Sequence, residues 1–389
     1  MRFQFIITPE IHFGNGSHNE LPRLIERFGS RILLLTGKSS FSELPQRKTI
    51  LDGIASLKIE LFRETITGEP STERIDFLSD RYRGMGIDCV VAIGGGSVLD
   101  AGKALSAMLG VEGSVEQYLE GVGNRQYQGK KVPMIAVSTC SGTGSEVTQN
   151  AVISKVGPEG YKRSMRHLSL MPNIAVVDPL LTVGCNSSLT VSSGLDAYTQ
   201  LLEAYLSTKA NPLTDILVLD ALKGLPNALK LAFGDGSNLQ ARSQLAYSAM
   251  ISGIGLTNAG LGLVHGFASV IGGYFSIPHG VVCATLLPAV MGRTIDKVLE
   301  DSGSKSRVML KLADAGRHFT HEQSKRPEEL CRILKESLYG MVEEFQIPGL
   351  GNYGVTRADF DKILAITSLK SHPVKFSREE LRDMLEERL

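Results

Sequence analysis

The first half of the chain alternates short apolar runs with amphipathic stretches. Such alternation is typical of βαβ units, in which buried parallel strands are separated by helices. The runs with the length and apolar content of buried strands are residues 31–36, 88–93, 132–137 and 174–178. We therefore predict an α/β domain built on a mostly parallel sheet.

The second half differs, because long helical patterns dominate it and no clear strand run is present. The predicted helices cover residues 194–206, 212–233, 241–255 and 330–345. Capping-box spacing predicts further helix starts at Ser40–Glu43, Thr356–Asp359 and Ser377–Glu380. A chain of 389 residues is too long to fold around a single hydrophobic core. We expect an α/β domain over residues 1–187, an all-helical domain over 188–389, and a cleft between them.

Composition restricts the partners and the compartment. Lys plus Arg and Asp plus Glu both number 41, so no net field favours nucleic acid or an anionic membrane. The five cysteines are odd in number and form no CxxC pair, which indicates reduced thiols and not a disulfide framework. The sequence has no signal-peptide pattern and no apolar run near the about 18 residues of a membrane span. We expect a cytoplasmic protein without a nucleic-acid or membrane partner.

A glycine-rich loop follows the second predicted strand. Gly94, Gly95, Gly96 and Ser97 stand between that strand and a helical pattern. Glycines allow a close approach of the backbone to a ligand and a positive φ, and a helix N-terminus favours a phosphate. The loop therefore indicates a phosphate site, with a tight turn that binds nothing as the alternative. The usual GxGxxG fingerprint is absent.

A second loop, residues 138–146, follows the third predicted strand and is rich in hydroxyls and glycines. Its Ser138, Thr139 and Thr143 suit hydrogen bonds to a ribose or to a nicotinamide amide, although a surface loop can have the same composition. Open α/β sheets bind nucleotides where two such loops end neighbouring strands. The two loops together predict a Rossmann-like nucleotide-binding domain.

If the nucleotide is a nicotinamide dinucleotide, the loop after the first predicted strand bears on the choice between NAD(H) and NADP(H). NAD-specific enzymes usually place an acid there, which binds the 2′-hydroxyl of the adenosine ribose. The stretch from Thr36 to Ser40 contains no acid. Gly37, Lys38, Ser39 and Ser40 offer a cation and two hydroxyls, which suit a 2′-phosphate. We favour NADP(H) over NAD(H); the alternative is that Ser40 only caps its helix, and both roles are compatible.

Residue types that bind metals occur in the second half. Asp196 and Gln200 are four residues apart in a predicted helix and share one face. His265 stands among small and apolar residues, and His279 follows Pro278 at a predicted turn. A histidine at an apolar position needs partners for both ring nitrogens, and a metal is one solution. A hydrogen-bonded core histidine is the other, but the joint occurrence of these residues favours a metal.

These ordered motifs resemble the iron-containing, or group III, alcohol dehydrogenase family over nearly the whole chain. The matching segments are residues 13–16, 94–103, 139–146 and 172–179. The resemblance implies a dehydroquinate synthase-like architecture, a homodimer or a multiple of dimers, NAD(P) and a divalent metal. It also implies contacts of the loop around Asp100 with the pyrophosphate, a ribose contact from Lys162, and metal binding by Asp196, His265 and His279.

Two positions depart from the family's pattern. Gln200 stands where the family usually has a third ligand histidine, and Ser269 replaces a histidine that lies near substrate and cofactor in many members. An amide oxygen is neutral and a weaker donor than imidazole toward Fe²⁺ or Zn²⁺. We predict that Asp196, His265 and His279 hold Fe²⁺ or Zn²⁺, with Gln200 as a weak fourth ligand and an open position for substrate.

The predicted activity is reversible hydride transfer between a primary alcohol and C4 of a nicotinamide, with an aldehyde as the other substrate. Asp196, His265 and His279 are the predicted catalytic residues, because the metal they hold would polarise the substrate oxygen. Because Gln200 replaces a ligand histidine, one alternative is a metal-independent reductase of the maleylacetate reductase type. A dehydroquinate-synthase-like lyase shares the architecture, but the cations and amides that a polyhydroxylated phosphate needs are not evident. A catalytically decayed nucleotide-binding protein is the third alternative.

Overall fold

A six-stranded parallel sheet forms the centre of the first half of the chain. The computed structural model describes residues 2–6, 9–157, 160–300, 306–320 and 325–389. Its strands are β1 (Glu10–Phe13), β2 (Arg31–Gly37), β3 (Glu60–Ile66), β4 (Cys89–Gly94), β5 (Met134–Ser138), β6 (Asn150–Lys155), β7 (Tyr161–Arg166) and β8 (Ile174–Val177). The sheet has the order β1-β8-β5-β4-β2-β3, and β6 and β7 form a separate antiparallel pair.

Helices cover both faces of the sheet. They are α1 (Leu21–Glu26), α2 (Lys38–Ser42), α3 (Arg47–Ala55), α4 (Thr72–Tyr82) and α5 (Gly96–Met108). Alternate strand residues enter two different cores: Leu33 and Val90 pack with α4 and α5, whereas Leu34 and Val91 pack with α1 and α3. Strands buried on both faces explain why the sequence shows continuous apolar runs and not an alternation.

Helices are the only regular secondary structure in the described part of the second half. Its helices are α6 (Ser187–Leu206), α7 (Pro212–Gly234), α8 (Leu239–Ala259), α9 (Leu263–Tyr274), α10 (His279–Glu300), α11 (Arg307–Gly316), α12 (Pro327–Glu344), α13 (Phe360–Ile366) and α14 (Arg378–Glu387). Helix α6 packs against α7, α8 and α10, and nearly all of its residues from Thr190 onward are buried. The predicted fold class, an α/β domain followed by an all-α domain, is confirmed. The boundary between residues 187 and 188 stays a prediction.

The sheet register brings the two predicted nucleotide loops to one edge. Gly94, the last residue of β4, lies opposite Ser138, the last residue of β5. Because neighbouring parallel strands end at the same edge, the loops that follow them start side by side. This is the position at which open α/β sheets bind ligands.

Two of the three predicted capping boxes are confirmed. Thr356 and Asp359 form one, and Ser377 and Glu380 form the other at the start of α14. The third, at Ser40–Glu43, is wrong. Helix α2 already begins at Lys38, with Gly37 as its N-cap, so Ser40 lies inside the helix.

No single helix in the described part of the chain is long and apolar enough to cross a membrane. Helices α8 and α9 reach the required length and hydropathy only as a pair, and the chain bends by 99° between them.

Candidate functional site

A cleft of about 1800 Å³ lies between the carboxyl edge of the sheet and the helical half. It is lined by most of the residues predicted to bind the cofactor. These are Gly37, Lys38, Ser39, Ser40, Gly95, Gly96, Ser97, Asp100, Thr139, Thr143 and Lys162. Gly94 and Ser138 do not line the cleft; Gly94 ends β4, and the hydroxyl of Ser138 donates to the Cys140 carbonyl at 2.9 Å. Gly94 and Ser138 end the strands from which the two loops start.

The glycine loop needs glycine for space. None of Gly94, Gly95 and Gly96 has a positive φ, so the loop does not use the left-handed backbone that glycine allows. A Cβ atom on Gly94 would lie 2.5 Å from Val98 Cγ2, and one on Gly96 would lie 2.8 Å from Thr143 Oγ1. Gly95 caps α5 without a side-chain hydrogen bond. The start of α5 therefore has no side-chain cap. The Val98 N–H donates to the Gly95 carbonyl, and the N–H of Ser97, a residue that lines the cleft, is left for an anionic group.

Asp100 holds the hydroxyl-rich loop in place. Its carboxylate accepts from Ser145 Oγ at 2.5 Å and from the Val152 N–H at 3.1 Å, and lies 2.9 Å from Lys103 Nζ. Lys103, itself buried, donates to the Ser145 carbonyl at 3.0 Å and to Thr148 Oγ1 at 2.8 Å. Burial lowers the pKa of Lys103, and the neighbouring Asp100 opposes this shift. The pair links α5 to the second loop, a role that the sequence did not reveal.

Lys162 lies on β7 at the wall of the cleft and forms an ion pair with Glu69. The second carboxylate oxygen of Glu69 accepts from Ser154 Oγ at 2.5 Å. Burial raises the pKa of Glu69, but Lys162 and Ser154 lower it by more than burial raises it, so the net shift is downward. The ammonium of Lys162 is thus held in one place, close enough to His279 to lower the pKa of that histidine.

A cluster of potential metal ligands lies in the same cleft. Asp196 from α6, His265 from α9, and His279 and Cys283 from α10 bring one ligand atom each to within 4.8 Å of one another. His265 Nε2 lies 3.3 Å and His279 Nε2 3.9 Å from Asp196 Oδ1. Asp196 Oδ1 is nevertheless buried and has no hydrogen-bond partner. A buried charged oxygen without a partner is costly, and a cation among these atoms would satisfy it, so the residues fit a metal.

Glu203 orients His265. His265 Nδ1 lies 2.7 Å from Glu203 Oε2, and Glu203 Oε1 accepts from the Val264 N–H at 2.7 Å. A carboxylate on one ring nitrogen directs the other nitrogen toward a metal. Sequence reasoning missed Glu203, although its position seven residues after Asp196 places it on the same face of α6.

Charge in the cluster agrees with metal binding. Burial alone would raise the pKa of Asp196, but His279 and His265 lower it to about 2. Burial and Lys162 lower the pKa of His279 to about 4. Burial opposes protonation of His265, but Cys283, Asp196 and Glu203 raise its pKa. At neutral pH, Asp196 is therefore ionised and His279 neutral, as ligands must be.

The two residues that depart from the family's pattern have protein partners. Gln200 is buried, and its Oε1 accepts from Ser252 Oγ at 3.2 Å. Ser269 donates to the His265 carbonyl at 2.7 Å and accepts from Lys370 Nζ at 3.1 Å. Ser269 and Lys370 line the cleft, whereas Gln200 does not. Cys283 belongs to the cluster but was not predicted, although it follows His279 by one helical turn.

Matches to known proteins extend over nearly the whole chain. Residues 8–179 match the family model for iron-containing alcohol dehydrogenase, and residues 190–389 match the C-terminal model of the same family. The 4-hydroxybutyrate dehydrogenase of Cupriavidus necator is 30% identical over 100% of both chains. The long-chain-alcohol dehydrogenase 1 of Geobacillus thermodenitrificans is 34% identical over 74% of this chain and 73% of its own. The crystal structure of a 1,3-propanediol oxidoreductase superimposes with a TM-score of 0.88, at 26% identity over 100% of both chains.

Proposed function

Because the chain belongs to the iron-containing alcohol dehydrogenase family, and so is an NAD(P)-dependent oxidoreductase of alcohols and aldehydes, we propose that it acts by metal-assisted hydride transfer at Asp196, His265 and His279. One observation carries this proposal. The unpartnered, buried Oδ1 of Asp196 lies among histidine nitrogens in the same cleft as both nucleotide loops. A cofactor on the loops and a substrate on the cluster would share one enclosed space.

Different residues of the cleft bind the metal, the pyrophosphate and the ribose. A divalent metal supplies polarisation of a carbonyl or hydroxyl oxygen when it is bound at such a site. Asp196 contributes the negative charge that balances the cation, and Glu203 holds His265 with Nε2 toward the centre of the cluster. The uncapped start of α5 receives the pyrophosphate, and Lys162, fixed by Glu69, is placed to contact a ribose. Positioning of both reactants in one cleft is itself a large part of catalysis.

We propose NADP(H) as the preferred cofactor. Lys38, Ser39 and Ser40 are exposed on the cleft wall directly after β2. Gly37 ends that strand, and no acid stands in the stretch where an NAD enzyme would bind the 2′-hydroxyl. The ammonium of Lys38 and the two hydroxyls suit the charge and hydrogen-bonding capacity of a 2′-phosphate.

Steady-state rates test the function and the cofactor preference together. We expect turnover of at least one class of aldehyde, with a higher kcat/KM for NADPH than for NADH. Lys38→Ala should lower kcat/KM for NADPH by about 10- to 100-fold, since a charge-assisted hydrogen bond contributes about 1.5–3 kcal/mol. The kcat/KM for NADH should change by less than about twofold, because NADH has no 2′-phosphate for Lys38 to contact.

Lys48→Ala is the matched control, because Lys48 is exposed on α3 and pairs with Asp52 outside the cleft. It should leave both cofactors unaffected. Equal efficiency with NADPH and NADH in the wild-type protein would contradict the NADP(H) preference. Absence of turnover with every aldehyde, despite cofactor binding, would contradict the function itself and favour a decayed enzyme.

The assembly and compartment stay predictions. We propose a homodimer or a multiple of dimers, as in the family that the sequence resembles. We also propose a cytoplasmic location, which is supported by five cysteines that are all free thiols in the structure.

A further inference from the structure

We propose that Cys283 is the fourth protein ligand of the metal, and that its thiolate fills the place of the histidine that Gln200 replaces. The inference rests on the metal site proposed above and concerns its composition. Cys283 lies four residues after His279 in α10, so both side chains leave the same face of the helix.

The donor atoms have nearly the spacing of a tetrahedral site. Cys283 Sγ lies 3.6 Å from His265 Nε2 and 3.7 Å from His279 Nε2. Metal bonds of about 2.3 Å to sulfur and about 2.05 Å to nitrogen place sulfur and nitrogen about 3.6 Å apart in a tetrahedron, and oxygen and nitrogen about 3.4 Å apart. Asp196 Oδ1 lies 3.3 Å from His265 Nε2 and 3.9 Å from His279 Nε2. Of these four separations three match and the fourth is long by about 0.5 Å, and the other two pairs of donor atoms lie within 4.8 Å.

Four protein ligands fill a tetrahedron, so a substrate oxygen would have to enter as a fifth ligand. The position of Cys283 leaves the cleft side of the cluster free for it. Asp196, His265 and His279 line the cleft, whereas Cys283 does not and is fully buried. The thiol thus closes the cluster from the core. Gln200 is a poorer candidate for the same place, because its amide oxygen is neutral and a weaker donor than a thiolate.

A thiolate ligand changes which metal the site prefers. Coordination converts the thiol to a thiolate and releases its proton to solvent. The ligand set would then carry two negative charges, from Asp196 and Cys283, against one in a site of an aspartate and three histidines. Thiolate is a soft ligand that favours Zn²⁺, whereas Mn²⁺ prefers oxygen ligands. We therefore expect this chain to select Zn²⁺ more strongly than relatives with the third histidine.

Cobalt substitution tests the sulfur bond directly. Metal-free full-length protein loaded with Co²⁺ should show thiolate-to-cobalt charge-transfer absorption in the near ultraviolet, and Cys283→Ser should remove that band. Competition with a chromophoric chelator should show a loss of Zn²⁺ affinity of at least about 100-fold in Cys283→Ser, since even outer partners of metal ligands are worth about 10- to 100-fold. The loss for Mn²⁺ should be smaller.

Two variants serve as controls. Cys331→Ser changes a buried cysteine of α12 that contacts the Met309 carbonyl far from the cluster, and should keep the band and the affinity. Gln200→Ala should cost less Zn²⁺ affinity than Cys283→Ser. A larger cost for Gln200→Ala would overturn the proposal, and so would a band or an affinity that survives in Cys283→Ser.

The wild-type spectrum decides the question even where Cys283→Ser does not fold, because cobalt-loaded wild-type protein without the band contradicts a sulfur ligand. The readout is also independent of turnover. A band in a protein that reduces no aldehyde would contradict the proposed function and support the ligand. Aldehyde reduction without the band would support the proposed function and contradict the sulfur ligand.

Discussion

Asp196→Asn should lower kcat/KM for aldehyde reduction by about 10³-fold, equivalent to about 4 kcal/mol of transition-state stabilisation. The substitution removes the charge that balances the cation, while the amide keeps the shape of the side chain. Asp196 is buried, its Oδ1 has no hydrogen-bond partner, and the cluster contains no second carboxylate that could replace it. Metal content after purification should fall in parallel.

Asp52→Asn is the control for this substitution, because Asp52 is exposed on α3 and forms an ion pair with Lys48 outside the cleft. NADPH affinity, measured by fluorescence titration, should be similar in both variants, since the cofactor loops belong to the other half of the chain. An Asp196→Asn protein with normal metal content and normal turnover would show that the cluster is not the metal site.

The second large effect is expected at the glycine loop. Gly96→Val should weaken NADPH binding by about 100-fold or more, comparable to the loss of two hydrogen bonds to a charged group. A Cβ atom on Gly96 already lies 2.8 Å from Thr143 Oγ1 and 3.0 Å from Thr143 Cγ2. The added methyl groups would therefore separate the two loops or occupy the space of the pyrophosphate.

Gly340→Val is a matched control, since a Cβ atom on this exposed glycine of α12 meets nothing within 4 Å. Metal content should be normal in both variants, which separates cofactor binding from metal binding. Unchanged NADPH affinity in Gly96→Val would place the cofactor away from the start of α5.

The buried elements were predictable from the sequence because burial leaves a clear pattern. Strands β2, β4, β5 and β8 are covered on both faces, and their apolar runs were found within about two residues. Strand β3 was missed because it lies at the edge of the sheet and exposes Glu60 and other polar residues. Helix α9 was missed because its 12 residues include three glycines and three β-branched residues, which have low helix propensity.

The site was predictable only in part. Asp196, His265 and His279 were singled out as polar residues in apolar or helical surroundings, and the structure brings them together. Glu203 and Cys283 carried weaker signals, because a helical glutamate or a lone buried cysteine usually has a structural role. Their relation to the cluster depends on how α6, α9 and α10 pack, and single-chain spacing does not determine that packing.

Removal and return of the metal is the most direct test of the metal mechanism. Protein freed of metal by a chelator should bind NADPH but lose aldehyde reduction, and one equivalent of Zn²⁺ or Fe²⁺ per chain should restore the rate. Asp196→Asn protein treated in the same way should not recover. Full activity in demonstrably metal-free wild-type protein would contradict the account and favour a metal-independent reductase.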